Sequence, residues 1–281
     1  MGKFTGVLLA SDFDNTLVYT EEALRRGEGV PQLTEKNKAA LEYFMAEGGR
    51  FAVATGRALA AFVKQAKTIP MNAPAVLYNG AALYDFAAKT YLETDYLNDA
   101  APARMQEALD RFPEVGVEAY NDALDIPTVQ PNACTRRHQH MAHTGVEEFA
   151  KVTDIPTPIG KMLLEGEREE LEKAKAYLDA QPWRREYEIF FSGATLVEVT
   201  ARGSNKGSMV RRLAERLGIS MDHVYCVGDE TNDISMLTAA KEGFAPANCA
   251  QAVKDAGATI VADKNHDALA DVIAILDKYY A

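Results

Sequence analysis

The chain has 281 residues, of which 47% are hydrophobic and 25% charged, and a formal net charge of −11. That length and apolar content suit one large folded domain or two moderate ones. The acidic balance argues against nucleic acid and membrane lipid as main partners, because both are met by clusters of Lys and Arg. A phosphorylated small molecule stays open, since a few cations or a metal ion reverse the field inside a cleft.

In chain order, Val7-Leu8-Leu9-Ala10 reads as a short buried strand ending in polar residues. Thr34 reads as the cap of a helix that lines up Ala40, Leu41, Phe44 and Met45 and stops at Gly48-Gly49. Phe51 to Ala54 is a second strand, 58–67 a helix, and Ala75 to Tyr78 a third strand. From about Asp85 to Thr200 the pattern changes. Helices are expected at 103–112 and 167–180, and strands at 161–164, 187–191 and 196–199, the last two joined at Ser192-Gly193-Ala194. The α/β rhythm then returns: helix 206–217, strand 224–227, helix 232–240, a weaker strand around Phe244, helix 250–256, strand 259–261 and helix 266–279. Strands alternating with helices imply a parallel sheet covered on both faces. The expected architecture is an α/β, Rossmann-like, doubly wound parallel-sheet core (1–85 and 201–281) with an inserted α+β cap domain (86–200).

Cys134, Cys226 and Cys249 are odd in number and widely spaced, as reduced thiols would be. The first ten residues show no secretory pattern, and Gly6 stands where a myristoylation signal carries Ser or Thr. No apolar run nears the ~20 residues that span a bilayer. A cytoplasmic protein is expected, with no membrane and no nucleic-acid partner.

Four local signals fall at strand ends or helix starts, where open parallel sheets bind ligands. The first is Asp12-Phe13-Asp14-Asn15-Thr16. Residues i and i+2 of an extended chain face one way, so both carboxylates can address one ligand, one as nucleophile and the other as general acid/base. A calcium loop is excluded, since its required Gly and Glu positions hold Leu17 and Ala23. The second, Thr55-Gly56-Arg57, reads either as a phosphate cradle or as a helix cap. The third is Lys206, a cation opening a helix against its dipole, which neutralisation of a nearby anion would explain. A solvated lysine is the alternative. The fourth is Gly228-Asp229-Glu230-Thr231-Asn232-Asp233. Asp229 and Asp233 offer hard oxygen ligands for Mg²⁺, and Thr231 or Asn232 can cap a helix.

Taken in order, these motifs resemble the haloacid dehalogenase-like superfamily, most closely its Cof-type sugar-phosphate phosphatase branch. The likeness covers essentially the whole chain and extends to Val76–Ala81, with Asn79-Gly80, and to the tail around Asn248 and Lys254. About 150 positions separate Arg57 from Lys206, far beyond a usual connection of ~4–6 residues. The insert therefore follows the second motif, and the resemblance implies a mobile cap there. It further implies that Asp12 is the nucleophile and Asp14 the general acid/base. Mg²⁺ would be held by Asp12, the Asp14 carbonyl and Asp229, with Asp233 in support. Thr55, Gly56, Arg57, Lys206 and Asn232 would bind the phosphorylated substrate. Asn15 and Glu230 depart from the residues common at their positions, but neither removes a reacting group. A phosphosugar mutase would use the same Asp pair, and a non-catalytic phosphosugar-binding regulator would share the fold. Arg136-Arg137-His138-Gln139-His140-Met141-Ala142-His143 reads best as an exposed basic segment. Recognition of a second anion is an alternative reading for it. So is metal binding, although no ordered partner ligands are evident in the sequence.

Overall fold

Leu8-Leu9-Ala10-Ser11 carries no exposed side chain, as a strand buried on both faces requires. In the computed structural model, which describes residues 2–121, 123, 125–142, 145–261 and 267–281, this run is β1 (Leu8–Ser11). It is followed by α1 (Thr20–Arg25), α2 (Glu35–Ala46), β2 (Arg50–Val53), the single turn α3 (Leu59–Phe62), β3 (Ala75–Leu77), β4 (Ala82–Asp85) and β5 (Thr90–Thr94). Next come α4 (Ala101–Arg111), β6 (Gly116–Tyr120), β7 (Asp125–Val129), α5 (Ala133–Ala142), β8 (Gly145–Phe149), β9 (Lys161–Glu165), α6 (Arg168–Asp179), β10 (Tyr187–Gly193) and β11 (Leu196–Ala201). The chain closes with α7 (Lys206–Leu217), β12 (Val224–Val227), α8 (Ile234–Ala239), β13 (Glu242–Pro246), α9 (Gln251–Asp255), β14 (Thr259–Val261) and α10 (Ala268–Tyr279). His143 and His266, the ends of the basic run and of the last helix as read from sequence, lie outside the described residues. Among the described residues no helix is long and apolar enough to cross a membrane.

Two compact units result. One holds Met1–Arg57, Phe62–Glu93 and Asn205–Ala281; the other holds Ala58–Ala61 and Thr94–Ser204. The first is built on a parallel sheet of order β14-β13-β12-β1-β2. β1 is an interior strand between β12 and β2, with Ser11 opposite both Val227 and Val53. Successive connections leave β1 toward opposite edges, so the crevice where ligands bind in such sheets lies beyond its carboxyl end. α7 lays Met209, Val210 and Leu213 into one cluster with Leu8, Ala10 and Cys226. α2 starts where its cap predicts: the Asn37 N–H donates to Thr34 Oγ1 at 3.1 Å, and Leu41 and Phe44 are buried.

The second unit is a six-stranded sheet of order β10-β11-β9-β6-β7-β8, antiparallel except between β7 and β8. Along β9, Met162 and Leu164 join an apolar cluster with Met105 and Leu109 of α4 and Leu171 and Leu178 of α6. The two-residue period turns Lys161 and Glu165 to the opposite face. The fold is thus an α/β parallel-sheet core with an α+β second unit.

Beyond β6, β7, β8 and α5, where the sequence reading placed no element, three local features differ from it. The third strand does not extend the parallel sheet as a full member; it meets it at one bridge, Ala54–Val76, and pairs antiparallel with β4 in a separate three-stranded sheet. The reason is a left-handed turn at Tyr78, Asn79 and Gly80 that sends the chain straight back. The helix expected over 58–67 is reduced to one α turn and a short 3-10 turn at Gln65–Lys67. The run from Arg136 is not a wholly exposed basic segment: it forms α5, whose Thr135 and Gln139 are buried.

Candidate active site

The carboxyl ends of β1, β2 and β12 and the first turn of α7 supply the polar side chains beyond the parallel sheet. Asp12 follows β1 directly, and its N–H donates to the Val227 carbonyl at 2.8 Å, which extends the β1–β12 ladder by one residue. This fixes its carboxylate at the strand tip, where it is buried. Lys206 opens α7 after Asn205, whose side chain and that of Ser208 form a reciprocal capping box. Two close approaches set the helix position. A side chain on Gly80 would fall 2.1 Å from the Asn205 carbonyl, and one on Gly207 would fall 2.1 Å from the Ser235 carbonyl. Only glycine permits backbone contact this close.

Lys206 is fully buried, and its Nζ donates to Asp12 Oδ1 and to Asp233 Oδ1, both at 2.6 Å. Asp233 Oδ2 accepts the N–H groups of Asp229 and Glu230 at 3.0 Å. Asp233 thereby ties the turn after β12 to the lysine. Asp229 Oδ1 accepts from the Thr16 hydroxyl at 2.6 Å. Asp12, Asp229 and Asp233 each bring one oxygen within 4.8 Å of the others. Three carboxylates therefore face one ammonium. Burial first, then the Asp233 charge, raises Asp12 well above the usual carboxylate range, against the pull of Lys206. Asp229 is pushed up to about 7 by burial and then by Asp233. Burial disfavours the Lys206 ammonium, but Asp12 and Asp233 outweigh it and raise its pKa.

Asp14 sits in an adjoining set. Its Oδ2 accepts from Arg57 Nε at 2.8 Å, and its Oδ1 from Arg57 at 2.7 Å and from the Thr20 hydroxyl at 2.8 Å. Burial pushes this carboxyl up, but the bidentate Arg57 bonds, its charge and Thr20 win, and the pKa falls below the ordinary value. The Arg57 guanidinium also stacks 5.0 Å from the Phe13 ring centroid. Thr55 is buried, and its hydroxyl accepts the Arg57 N–H at 3.1 Å. The motif is therefore a self-capped turn at the end of β2. Asn232 donates to Asn79 Oδ1 at 2.9 Å.

Asn79 is the residue to which sequence reasoning assigned no role. It is left-handed (φ 56°) and buried, its N–H donates to the Thr55 carbonyl at 3.1 Å, and its Nδ2 has no hydrogen-bond partner among the described residues. A side chain on Gly56 would meet it at 3.0 Å. Asn79 thus packs the second motif against the fourth. The visible signal was Asn-Gly directly after a strand, a dipeptide suited to left-handed backbone.

The donor set fits a hard divalent cation: three carboxylates, with two negative charges left over after pairing with Lys206. Beyond a parallel sheet's switch point, such a set makes an acid-rich site of an α/β enzyme that could hold a metal ion. The model of the haloacid dehalogenase-like hydrolases matches residues 9–273, and the chain belongs to that family. It is 27% identical over 274 residues to pyridoxal phosphate phosphatase YbhA of Escherichia coli, covering 95% of this chain and 97% of the relative. It is 24% identical over 270 residues to the 5-amino-6-(5-phospho-D-ribitylamino)uracil phosphatase YcsE of Bacillus subtilis, covering 95% and 94%. A solved haloacid dehalogenase-like hydrolase from Bacteroides thetaiotaomicron has the same fold, with TM-score 0.80 at 22% identity over 96% of this chain and 99% of that one.

Proposed function

We propose that this phosphatase hydrolyses small phosphate monoesters, sugar phosphates among them, through a phosphoryl group carried on Asp12, with Mg²⁺ as cofactor. The observation that carries the reading is the buried convergence of Asp12, Lys206, Asp229 and Asp233 at the switch point of the sheet. The two curated relatives act, by name, on esters of a pyridoxal and of a ribityl group, both small monoesters.

Asp12 Oδ attacks phosphorus, and the bond from phosphorus to the ester oxygen breaks. The departing oxygen takes a proton from Asp14. Asp14 then draws a proton from water, whose oxygen attacks the phosphorus and releases Asp12 and inorganic phosphate. Arg57 holds Asp14 as a carboxylate in this structure, the form required of a base. The acid step requires that grip to loosen, and the substrate's phosphate is the anion that competes for Arg57. Lys206 pulls against the burial that raises the Asp12 pKa, favouring its ionised form, and neutralises charge at the attacked group. Thr55 offers its hydroxyl proton to a phosphoryl oxygen, beside the Gly56 backbone, and Asn232 would lie beside the same group. Asp12, the Asp14 carbonyl and Asp229 would hold Mg²⁺, with Asp233 in support. When bound, the ion supplies the positive charge that lets one anion approach another. The second unit, which we assign as the cap, would choose among substrates.

Hydrolysis of p-nitrophenyl phosphate tests this directly, measured with Mg²⁺, with EDTA, and in Asp12→Asn. Metal-dependent turnover abolished in a folded Asp12→Asn protein is expected. Turnover that survives the substitution means that Asp12 is not the nucleophile.

A further inference from the structure

The polar face of the second unit's sheet holds charges that the reaction does not use. Glu118 of β6 and Glu165 of β9 are diagonal neighbours, since Glu118 pairs with Leu163 and Gly116 with Glu165. Both are buried, at 2% and 0% relative exposure. α5 brings a third group to them. Asn132 anchors the start of that helix, donating to the Glu165 carbonyl at 2.7 Å and accepting the Thr135 N–H at 3.0 Å. One turn on, His138 falls on the same helix face as Thr135.

His138 Nδ1 lies 3.0 Å from Glu118 Oε2 and 2.8 Å from Glu165 Oε1. One ring nitrogen carries at most one proton, and its hydrogen bond runs to Glu118. Glu118 Oε1 and Glu165 Oε2 accept no hydrogen bond among the described residues, while Glu165 Oε1 is ion-paired with His138. Buried carboxylate oxygens without donors are costly. Burial lowers the His138 pKa, but the two glutamates outweigh it and raise it to about 10, which sets one positive charge against two buried carboxyl groups. Lys161, on the same face, is paired with Glu198 at 3.1 Å. The Tyr120 hydroxyl donates to Glu118 Oε2 at 2.7 Å and orients it from behind, as second-sphere groups orient metal ligands.

We propose that Glu118, His138 and Glu165 form a binding site for a divalent transition-metal ion, zinc being the best fit, built wholly within the second unit. Their donor atoms lie within 4.8 Å of one another. The nitrogen-to-oxygen separations of 3.0 and 2.8 Å are hydrogen-bond lengths, and opening them by about 0.5 Å would seat a tetrahedral ion about 2.0–2.2 Å from each ligand. An imidazole nitrogen with two carboxylates suits Zn²⁺ better than Mg²⁺, which takes oxygen ligands. Two carboxylates and a deprotonated ring also balance a charge of two; because His138 titrates at about 10 beside them, the ion binds by displacing the ring proton. His138 is 22% exposed, which leaves a route for entry and water for a remaining position.

The experiment loads the full chain with one equivalent of Zn²⁺ in excess Mg²⁺ and records its X-ray absorption spectrum. Zinc titrations of the wild type, His138→Gln and Glu165→Gln accompany it, with circular dichroism to confirm folding. The expected spectrum shows imidazole scattering, and each variant loses one zinc equivalent or weakens it at least ~100-fold. An all-oxygen shell would place the zinc on the aspartates around Lys206 and overturn the proposal. So would equal zinc uptake by wild type and both variants, or no uptake at all. The wild-type spectrum decides the matter even if a variant fails to fold.

Discussion

Replacing Lys206 by Met tests the electrostatic design of the site. The lysine is fully buried and bonded at 2.6 Å to two carboxylates, and a third lies within 4.8 Å of them. Methionine keeps much of the volume but leaves three buried acids without a cation. Removing one partner of a buried ion pair costs about 3–5 kcal/mol, because the remaining charge is uncompensated. Here one ammonium serves two acids, so the upper part of that range is expected. This is a large share of the ~5–15 kcal/mol that holds a typical domain folded. Urea unfolding followed by circular dichroism at pH 7 reads it as a lower midpoint with an unchanged slope. The deficit should shrink as pH falls, since neutral carboxyl groups need no counter-ion. Added Mg²⁺ should narrow it as well, because acids freed of the ammonium would bind the ion more tightly than in the wild type, and the tighter ligand stabilises its folded state more. Turnover should drop by about 10²–10³, the usual loss for a charge-stabilising donor. A stability loss below about 1 kcal/mol at pH 7 would refute the reasoning, since exposed pairs cost no more than that.

Other substitutions probe neighbouring links. Gly207→Ala adds a good helix former inside α7, yet the new methyl would meet the Ser235 carbonyl at 2.1 Å. It should destabilise by about 1–3 kcal/mol, as overpacking does, whereas a gain in melting temperature would show that α7 and α8 separate easily. Arg57→Ala removes the bonds that hold Asp14 below its ordinary pKa, so that pKa rises and the alkaline limb of kcat/KM, which Asp14 sets as the acid of the first step, should move to higher pH. An unmoved limb would mean that Asp14 does not set it. Burial raises the pKa of Cys134, Cys226 and Cys249. The thiolate is the reactive form, so none should react quickly with a disulfide reagent at pH 8, and all should react in urea. A fast native thiol would contradict that burial. Leu164→Ala, in the central strand of the second unit, removes a fully buried side chain. It should cost about 2–5 kcal/mol, read as a lower urea midpoint, and an unchanged midpoint would mean that the cluster around it closes without loss.

The chain's local chemistry was readable without coordinates. The apolar runs of β1, β2 and β12 marked buried parallel strands, and the polar clusters after them marked the crevice, because both depend on neighbours in sequence. The capping pattern at Thr34 and the glycine after α7 marked helix ends for the same reason. Other features needed the tertiary structure, because they depend on residues far apart in the chain. Lys206 alone reads as a solvated lysine; its burial follows from Gly80 and Gly207, which let α7 press against two other backbones. β6, β7, β8 and α5 carry charged or β-disfavoured residues such as Glu118 and Pro127, so their pattern is weak, and pairing in the sheet decides them. His138 reads as one of a basic run, and only the diagonal of β6 against β9 brings two glutamates to its ring. Sequence periodicity reports which face a residue takes, whereas packing between distant elements decides what stands opposite it.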